Sequence, residues 1–180
     1  MSTNRLSGSF FRNDVLHVAP LLLGKHIVIN HGNVPEKYII NEVEAYRGEE
    51  DLACHASKGR TKRNEIMYAS GGHIYVYLIY GMYWMLNIVT GDADNPQAVL
   101  IRCIEGYNGP GKLTRKLGVD GSFYGENLVS SRRIWIEENH HTGNIISRPR
   151  IGIDYAGDYW KNKPWRFILE AAQHTGNDNP

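Results

Sequence analysis

The sequence predicts an α+β fold: a single domain on a mainly antiparallel sheet, with flanking helices and one protruding β-hairpin. Three observations carry this. Segments rich in β-branched and aromatic residues outnumber segments with helical periodicity. Most are joined by short, turn-rich connections that suit antiparallel neighbours. One of them, Gln97 to Ile104, is almost continuously apolar, as a central strand covered on both faces must be.

Taken in order, Asn13 to Leu23 reads as a helix opened by Asn13 as N-cap and closed by Gly24. Pro20 lies inside it and calls for a kink or for two short pieces. His26 to Asn30 and Tyr38 to Tyr46 read as strands around the turn-rich His31–Pro35. Gly48 to Gly72 is a long polar connection with one helical turn near Asn64 to Ala69, and such connections in compact domains tend to be functional. His73 to Tyr80 and Tyr83 to Thr90 form a hairpin with its tip at Tyr80-Gly81-Met82. Gly106 to Gly125 holds a short helix near Lys112 to Leu117, and Ile134 to Glu137 and Trp165 to Leu169 are further strands. Residues 1–8 and 171–180 are expected to be poorly ordered.

With 180 residues, 42% hydrophobic and 22% charged, the composition is that of an ordinary globular domain. Lys plus Arg is 20 against 19 for Asp plus Glu, so no global basicity announces a nucleic-acid partner, and any such surface must arise from local charge segregation. Cys54 and Cys103 lack CxxC spacing and are expected as reduced thiols, with a structural disulfide as the alternative. No basic start precedes an apolar run, and no apolar stretch approaches the ~20 residues of a membrane span, so a soluble, cytoplasmic protein is expected.

The chemistry-bearing residues fall into four groups. Arg102 sits in an apolar strand, and a buried guanidinium there needs an anion or a ligand. In Tyr38 to Tyr46, period two places Glu42, Glu44 and Tyr46 on one face, which is either a solvated face or a site. Glu44 is the better site candidate because Tyr46 beside it offers a flat ring, and a carboxylate held by an arginine can deprotonate a water. Lys58, Arg60, Lys62 and Arg63 make a local basic patch, either a solvated loop or a set of phosphate contacts. Lys112, Arg115 and Lys116 form a weaker second cluster. Tyr75 and Tyr77 share a strand face, while Tyr80 has the opposite parity and stands beside Gly81, where a turn can push it out as a wedge. The bland alternative is an aromatic core strand. His55 has no role of its own, and its spacing from Cys54 does not suit a metal. An arginine-held carboxylate, flat aromatic faces, a wedge and a basic loop together meet the demands of taking a base out of a duplex.

At these residues the sequence resembles the alkyladenine (3-methyladenine) DNA glycosylase family. The resemblance runs through Asn41-Glu42-Val43-Glu44-Ala45-Tyr46, Ala53-Cys54-His55, Thr61-Lys62-Arg63-Asn64, Tyr75 to Met82, Asn87 and Val99-Leu100-Ile101-Arg102. Further pieces are Gly109 to Leu113, Arg150-Ile151-Gly152-Ile153 and Pro164 to Phe167. It implies Glu44 as the general base, with Arg102 and the backbone carbonyl of Ile151 helping to hold the attacking water. It implies a base pocket of Tyr46, His55 and Tyr77, with the His55 backbone bonding the base edge and Asn87 crowding a purine 2-amino group. It implies that Tyr80 inserts into DNA and fills the gap left there. It also implies a monomeric enzyme without metal or cofactor, acting on double-stranded DNA from the minor groove. Two departures stand out: Pro20 falls inside the first helix, and Asp154 sits near the water site, where it is expected to perturb Glu44.

Overall fold

The structure is a computed structural model and describes residues 4–32, 34–139 and 143–170. Two short helices open the chain, α1 (Gly8–Phe11) and α2 (Val15–Leu22), followed by strands β1 (His26–Ile29) and β2 (Glu36–Arg47). The hairpin strands β3 (Ile74–Ile79) and β4 (Tyr83–Thr90) come next, then β5 (Gln97–Ile104), β6 (Tyr107–Asn108) and helix α3 (Pro110–Lys116). The chain ends with β7 (Ile134–Glu137), β8 (Ile145–Arg148), α4 (Gly157–Lys161) and β9 (Arg166–Leu169). The strands join in one antiparallel sheet of order β3-β4-β5-β2-β1-β7, with β6 added to β5, β9 to β2 and β8 outside β9. This is the expected α+β architecture, with β5 inside the sheet. Among the described residues no helix is long and apolar enough to cross a membrane.

Alternation along the strands divides the sheet into two unlike faces. Val43 and Ala45 of β2, Ile74 and Val76 of β3, Leu86 and Ile88 of β4, and Val99 and Ile101 of β5 point to the main core under α1 and α2. There they meet Phe11, Val15, Val18 and Leu22, all fully buried. The intervening residues Glu44, Tyr46, Tyr75, Tyr77, Asn87, Leu100 and Arg102 have the opposite parity. This second face is covered by the long connection between β2 and β3, through Cys54, Ala56 and Met67. Register irregularities between Ile40 and Val43 interrupt the pairing of β2 with β5, and Ile40 and Val43 both point to the main core despite their opposite parity. Such bulges re-aim side chains and occur next to functional sites.

Several local expectations are corrected. The N-cap of α2 is Asp14, whose side chain accepts from the Leu16 N–H at 2.9 Å, and Asn13 instead donates to the Ser9 and Phe10 carbonyls at the end of α1. Pro20 is accommodated within the single helix Val15–Leu22, since its missing N–H removes only one bond near the end. Residues Asn4 to Ser7 are tied down rather than frayed. Arg5 pairs with Glu137 through a backbone β-bridge, Leu6 donates to the Ile136 carbonyl at 2.9 Å, and Leu6 is buried, so this segment covers the edge of β7. Residues 1–3 and 171–180 lie outside the described residues. Four of these elements went unanticipated in sequence: α1, β6, β8 and α4.

Candidate active site

The bulge leaves Glu44 on the second face of the sheet, opposite Leu100 of β5, with no exposed surface. Its two oxygens are separately engaged. Oε2 accepts from the Tyr46 hydroxyl at 2.9 Å and lies 3.4 Å from Arg102 Nη1, while Oε1 accepts from the backbone N–H of Ile151 at 2.8 Å. Burial lifts the Glu44 carboxyl above the usual carboxylate range. The charge of Arg102, the Ile151 N–H, the Tyr46 hydroxyl and the charge of Arg150 pull it back without cancelling the burial.

Arg102 is held in turn by Glu42, which accepts from its Nε at 3.1 Å and from Arg166 Nη1 at 3.0 Å. Burial alone would raise the Glu42 carboxyl, but Cys103, Arg166 and Arg102 hold it below the usual range. Glu42 is therefore the firmly ionised member of the pair and Glu44 the one whose proton affinity is raised. Both cysteines are free and buried, with thiols pushed up to about 12 at Cys54 and about 11 at Cys103.

Behind Tyr46 lies a pair that the sequence did not reveal. Arg150 and Asp51 form a fully buried salt bridge with two contacts, 2.6 and 2.9 Å, and Arg150 also donates to the Ala45 carbonyl at 3.0 Å. The guanidinium lies 4.8 Å from the Tyr46 ring centroid. Asp51 accepts from the backbone N–H groups of Arg47 and Ala53 as well. One buried ion pair thus fastens three things together: the end of β2, the loop leading to His55, and the residue preceding Ile151. Nothing in the local sequence pairs Arg150 with Asp51, which lie 99 residues apart, so only their mutual burial identifies them.

A cleft of about 510 Å³ opens over Glu44's neighbours. Tyr46, His55, Tyr75, Tyr77 and Asn87 line it, with Arg102 and Ile151 towards the carboxylate side. The 3-10 turn His55–Lys58 presents His55, whose Nδ1 is 2.8 Å from the Tyr75 hydroxyl and whose ring meets Tyr77 edge-on at 4.6 Å. Burial, helped by the Arg63 charge, lowers the His55 pKa to about 4, so the imidazole is neutral near pH 7. Asn64 fixes this turn by donating to the carbonyls of His55 and Gly59, both at 3.0 Å. Asn87 is fixed by bonds to the Tyr75 and Met85 carbonyls at 3.2 and 3.3 Å. Tyr75 is a lining residue that shared strand parity with Tyr77 already suggested.

The remaining candidates divide. Tyr80, at the hairpin tip, is 86% exposed and has φ +50°, with Met82 exposed beside it. Lys58, Lys62 and Arg63 are exposed, and Arg63 lies 5.0 Å over the Tyr77 ring at the cleft. Arg60 is engaged within the protein: it pairs with Asp94 and lies 3.8 Å from Glu65 and 4.2 Å over the Tyr68 ring. Asp154 does not reach Glu44. The 3-10 turn Asp154–Ala156 points it to solvent, where it pairs with Lys161 at 3.0 Å, and it takes no part in shifting Glu44.

These features, a buried carboxylate and arginine beneath an aromatic cleft beside an exposed tyrosine tip, agree with the sequence relationships, which place the chain among DNA glycosylases. The family model described as methylpurine-DNA glycosylase matches residues 9–108 and 105–173, and the chain belongs to that family. Among the curated relatives, a protein of Desulfitobacterium hafniense (strain Y51) is 40% identical over 94% of this chain and 97% of its own length. One of Legionella pneumophila (strain Corby) is 41% identical over 98% and 96%, and one of Chlamydia abortus is 43% identical over 91% and 97%. All three bear the name "Putative 3-methyladenine DNA glycosylase".

Proposed function

We propose that this enzyme flips alkylated or deaminated purines out of duplex DNA and hydrolyses the N-glycosidic bond, leaving an abasic site. The observation that carries the reading is Glu44: fully buried, held on both oxygens, and next to an aromatic cleft large enough for a purine. A carboxylate with raised proton affinity is suited to take a proton from water.

In this reading an extruded purine enters between Tyr46, His55 and Tyr77. Unstacking costs a few kcal/mol, and less at a damaged base. The tyrosine faces favour a purine made cationic by alkylation at N3 or N7, and a neutral His55 adds no repulsion. Water, held by Arg102 and the Ile151 backbone, gives its proton to Glu44 and its oxygen to the sugar C1′. The glycosidic electron pair leaves with the base and neutralises its charge. The negative Glu44 also favours the oxocarbenium-like sugar. Since Asn64 occupies the His55 carbonyl, the His55 N–H is the backbone group left for the base edge. Asn87, fixed on β4, crowds a purine 2-amino group and so disfavours normal guanine.

Tyr80 would enter the duplex from the minor groove as the base leaves, with Lys58, Arg60, Lys62 and Arg63 on phosphates and the protein acting as a monomer on chromosomal DNA in the cytoplasm. Arg60 would have to exchange Asp94 for a phosphate. No lysine is among the residues lining the cleft, which favours simple hydrolysis over an amine-linked intermediate. Borohydride trapping of a protein–DNA adduct would count against that.

The test is single-turnover release of hypoxanthine or 7-methylguanine from duplex oligonucleotides. Wild type should release base, and Glu44→Gln should lose about 10²–10⁴ in rate. Tight lesion binding without release by the wild type would make the chain a lesion sensor instead.

A further inference from the structure

We infer that the groove between α3 and the hairpin receives the sugar-phosphate backbone of the strand opposite the lesion. This rests on the reading of the site as a duplex-acting glycosylase and adds a second contact surface to it. The groove has a volume of about 430 Å³ and is lined by Tyr83, Tyr107, Gly111, Lys112, Arg115 and Lys116. It and the catalytic cleft meet the same hairpin. The cleft runs along Leu78, Ile79 and Tyr80 and reaches Pro110, while the groove runs along Tyr83 and begins at Gly111. The exposed tip of Tyr80 and Met82 therefore stands where the two depressions adjoin.

Helix α3 packs directly against the hairpin. The Thr114 hydroxyl donates to the Trp84 carbonyl at 3.0 Å, on the stretch of β4 that β5 does not pair. A Cβ placed on Gly111 would come within 2.7 Å of the Tyr83 ring, so only glycine admits so close an approach. The cations of this helix fall on one side, at helical spacings of three and four. Lys116 is held by Glu36 at 3.0 Å. Lys112 and Arg115 are exposed and have no carboxylate partner among the described residues. On a chain with net charge +1, unpaired cations placed beside a wedge are the local segregation that a phosphate backbone requires. A wedge that parts two strands needs a hold on each. Lys58, Lys62 and Arg63 stand near the cleft that takes the damaged base, and Lys112 and Arg115 stand near the depression on the other strand of the hairpin.

The experiment titrates the full chain against a lesion duplex and against the lesion strand alone, at a series of salt concentrations. Lys112→Gln/Arg115→Gln should lower the magnitude of the log–log salt slope for the duplex by about two, with a much smaller change for the single strand. Arg132→Gln, a cation on a different depression, controls for net charge and should change the slope less per charge. Equal losses on duplex and single strand would overturn the proposal by placing these cations on the lesion strand. An unchanged slope, or a per-charge effect no larger than that of Arg132→Gln, would overturn it as well. If the wild type neither bound nor cut the duplex, the glycosylase reading itself would fall, whereas wild-type cutting with unaffected variants removes only this groove.

Discussion

The backbone N–H of Ile151 donates to Glu44 Oε1 at 2.8 Å, and the residue before it, Arg150, is locked in a buried salt bridge with Asp51. The position of the Glu44 carboxylate, the proposed base, thus depends on an ion pair that does not touch it. Breaking a buried pair from one side leaves an uncompensated charge and typically costs about 3–5 kcal/mol. Arg150→Met should therefore destabilise the fold by that order, and Arg150→Met/Asp51→Leu should recover much of the loss. Urea denaturation of the two variants checks this. A double variant no more stable than the single would show that the pair acts through packing around Tyr46 rather than through charge.

Arg102 is the strongest of the influences that offset the burial of Glu44. Its removal should raise the Glu44 carboxyl further, so the pH below which activity fails should rise. The sign follows from the need for an ionised base: each proton-stabilising change moves the acid limb towards neutral pH. Arg102→Gln should shift that limb upward in single-turnover release of 7-methylguanine, a lesion already cationic and so free of a second titration. A rate reduced equally at every pH would assign Arg102 to positioning alone.

Most of this site was legible in sequence because strand parity is a strict rule. Glu44 with Tyr46, Tyr75 with Tyr77, and Arg102 against an apolar background all follow from period two on one face of a sheet. The expected bounds of β4, β5 and β7 agree with the structure because each is a dense run of strand-forming residues. Parity says nothing of partners far away in the chain. The Arg150–Asp51 pair spans two loops, and Arg60, read as a free cation, is engaged by Asp94. Asp154 failed as a neighbour of Glu44 for the same reason, since a local turn decides its direction. Strand β8, as short as β7, went unread because only its first two residues, Ile145 and Ile146, are strand formers and Ser147 and Arg148 are not.

His55 gives stability its own pH dependence. Burial lowers its folded pKa to about 4 from an ordinary value of 6.5, so the unfolded chain binds more protons between those values. Its contribution is fully present above about pH 6.5 and is lost as pH falls towards 4. The shift corresponds to about 3 kcal/mol as an upper figure. Denaturation of His55→Gln at several pH values should show a shallower fall in stability across that window than wild type. Parallel curves would mean that other groups dominate acid unfolding.

Tyr80 occupies a turn whose two central residues, Tyr80 and Gly81, both have positive φ, at 50° and 68°. Asn-Gly is the usual choice for such a hairpin, because asparagine tolerates the left-handed region and tyrosine does not. The side chain makes little return for this strain, being 86% exposed. Strain kept at an exposed position points to use elsewhere. Tyr80→Asn should stabilise the folded protein by up to about 1 kcal/mol. It should also slow release of hypoxanthine from a duplex far more than release from the lesion strand alone, where no gap needs filling. Thermal melting and paired single-turnover assays measure the two effects on one variant. A variant more stable and equally active on duplex would remove Tyr80 from the proposed mechanism and leave Met82, exposed beside it, as the next wedge to test.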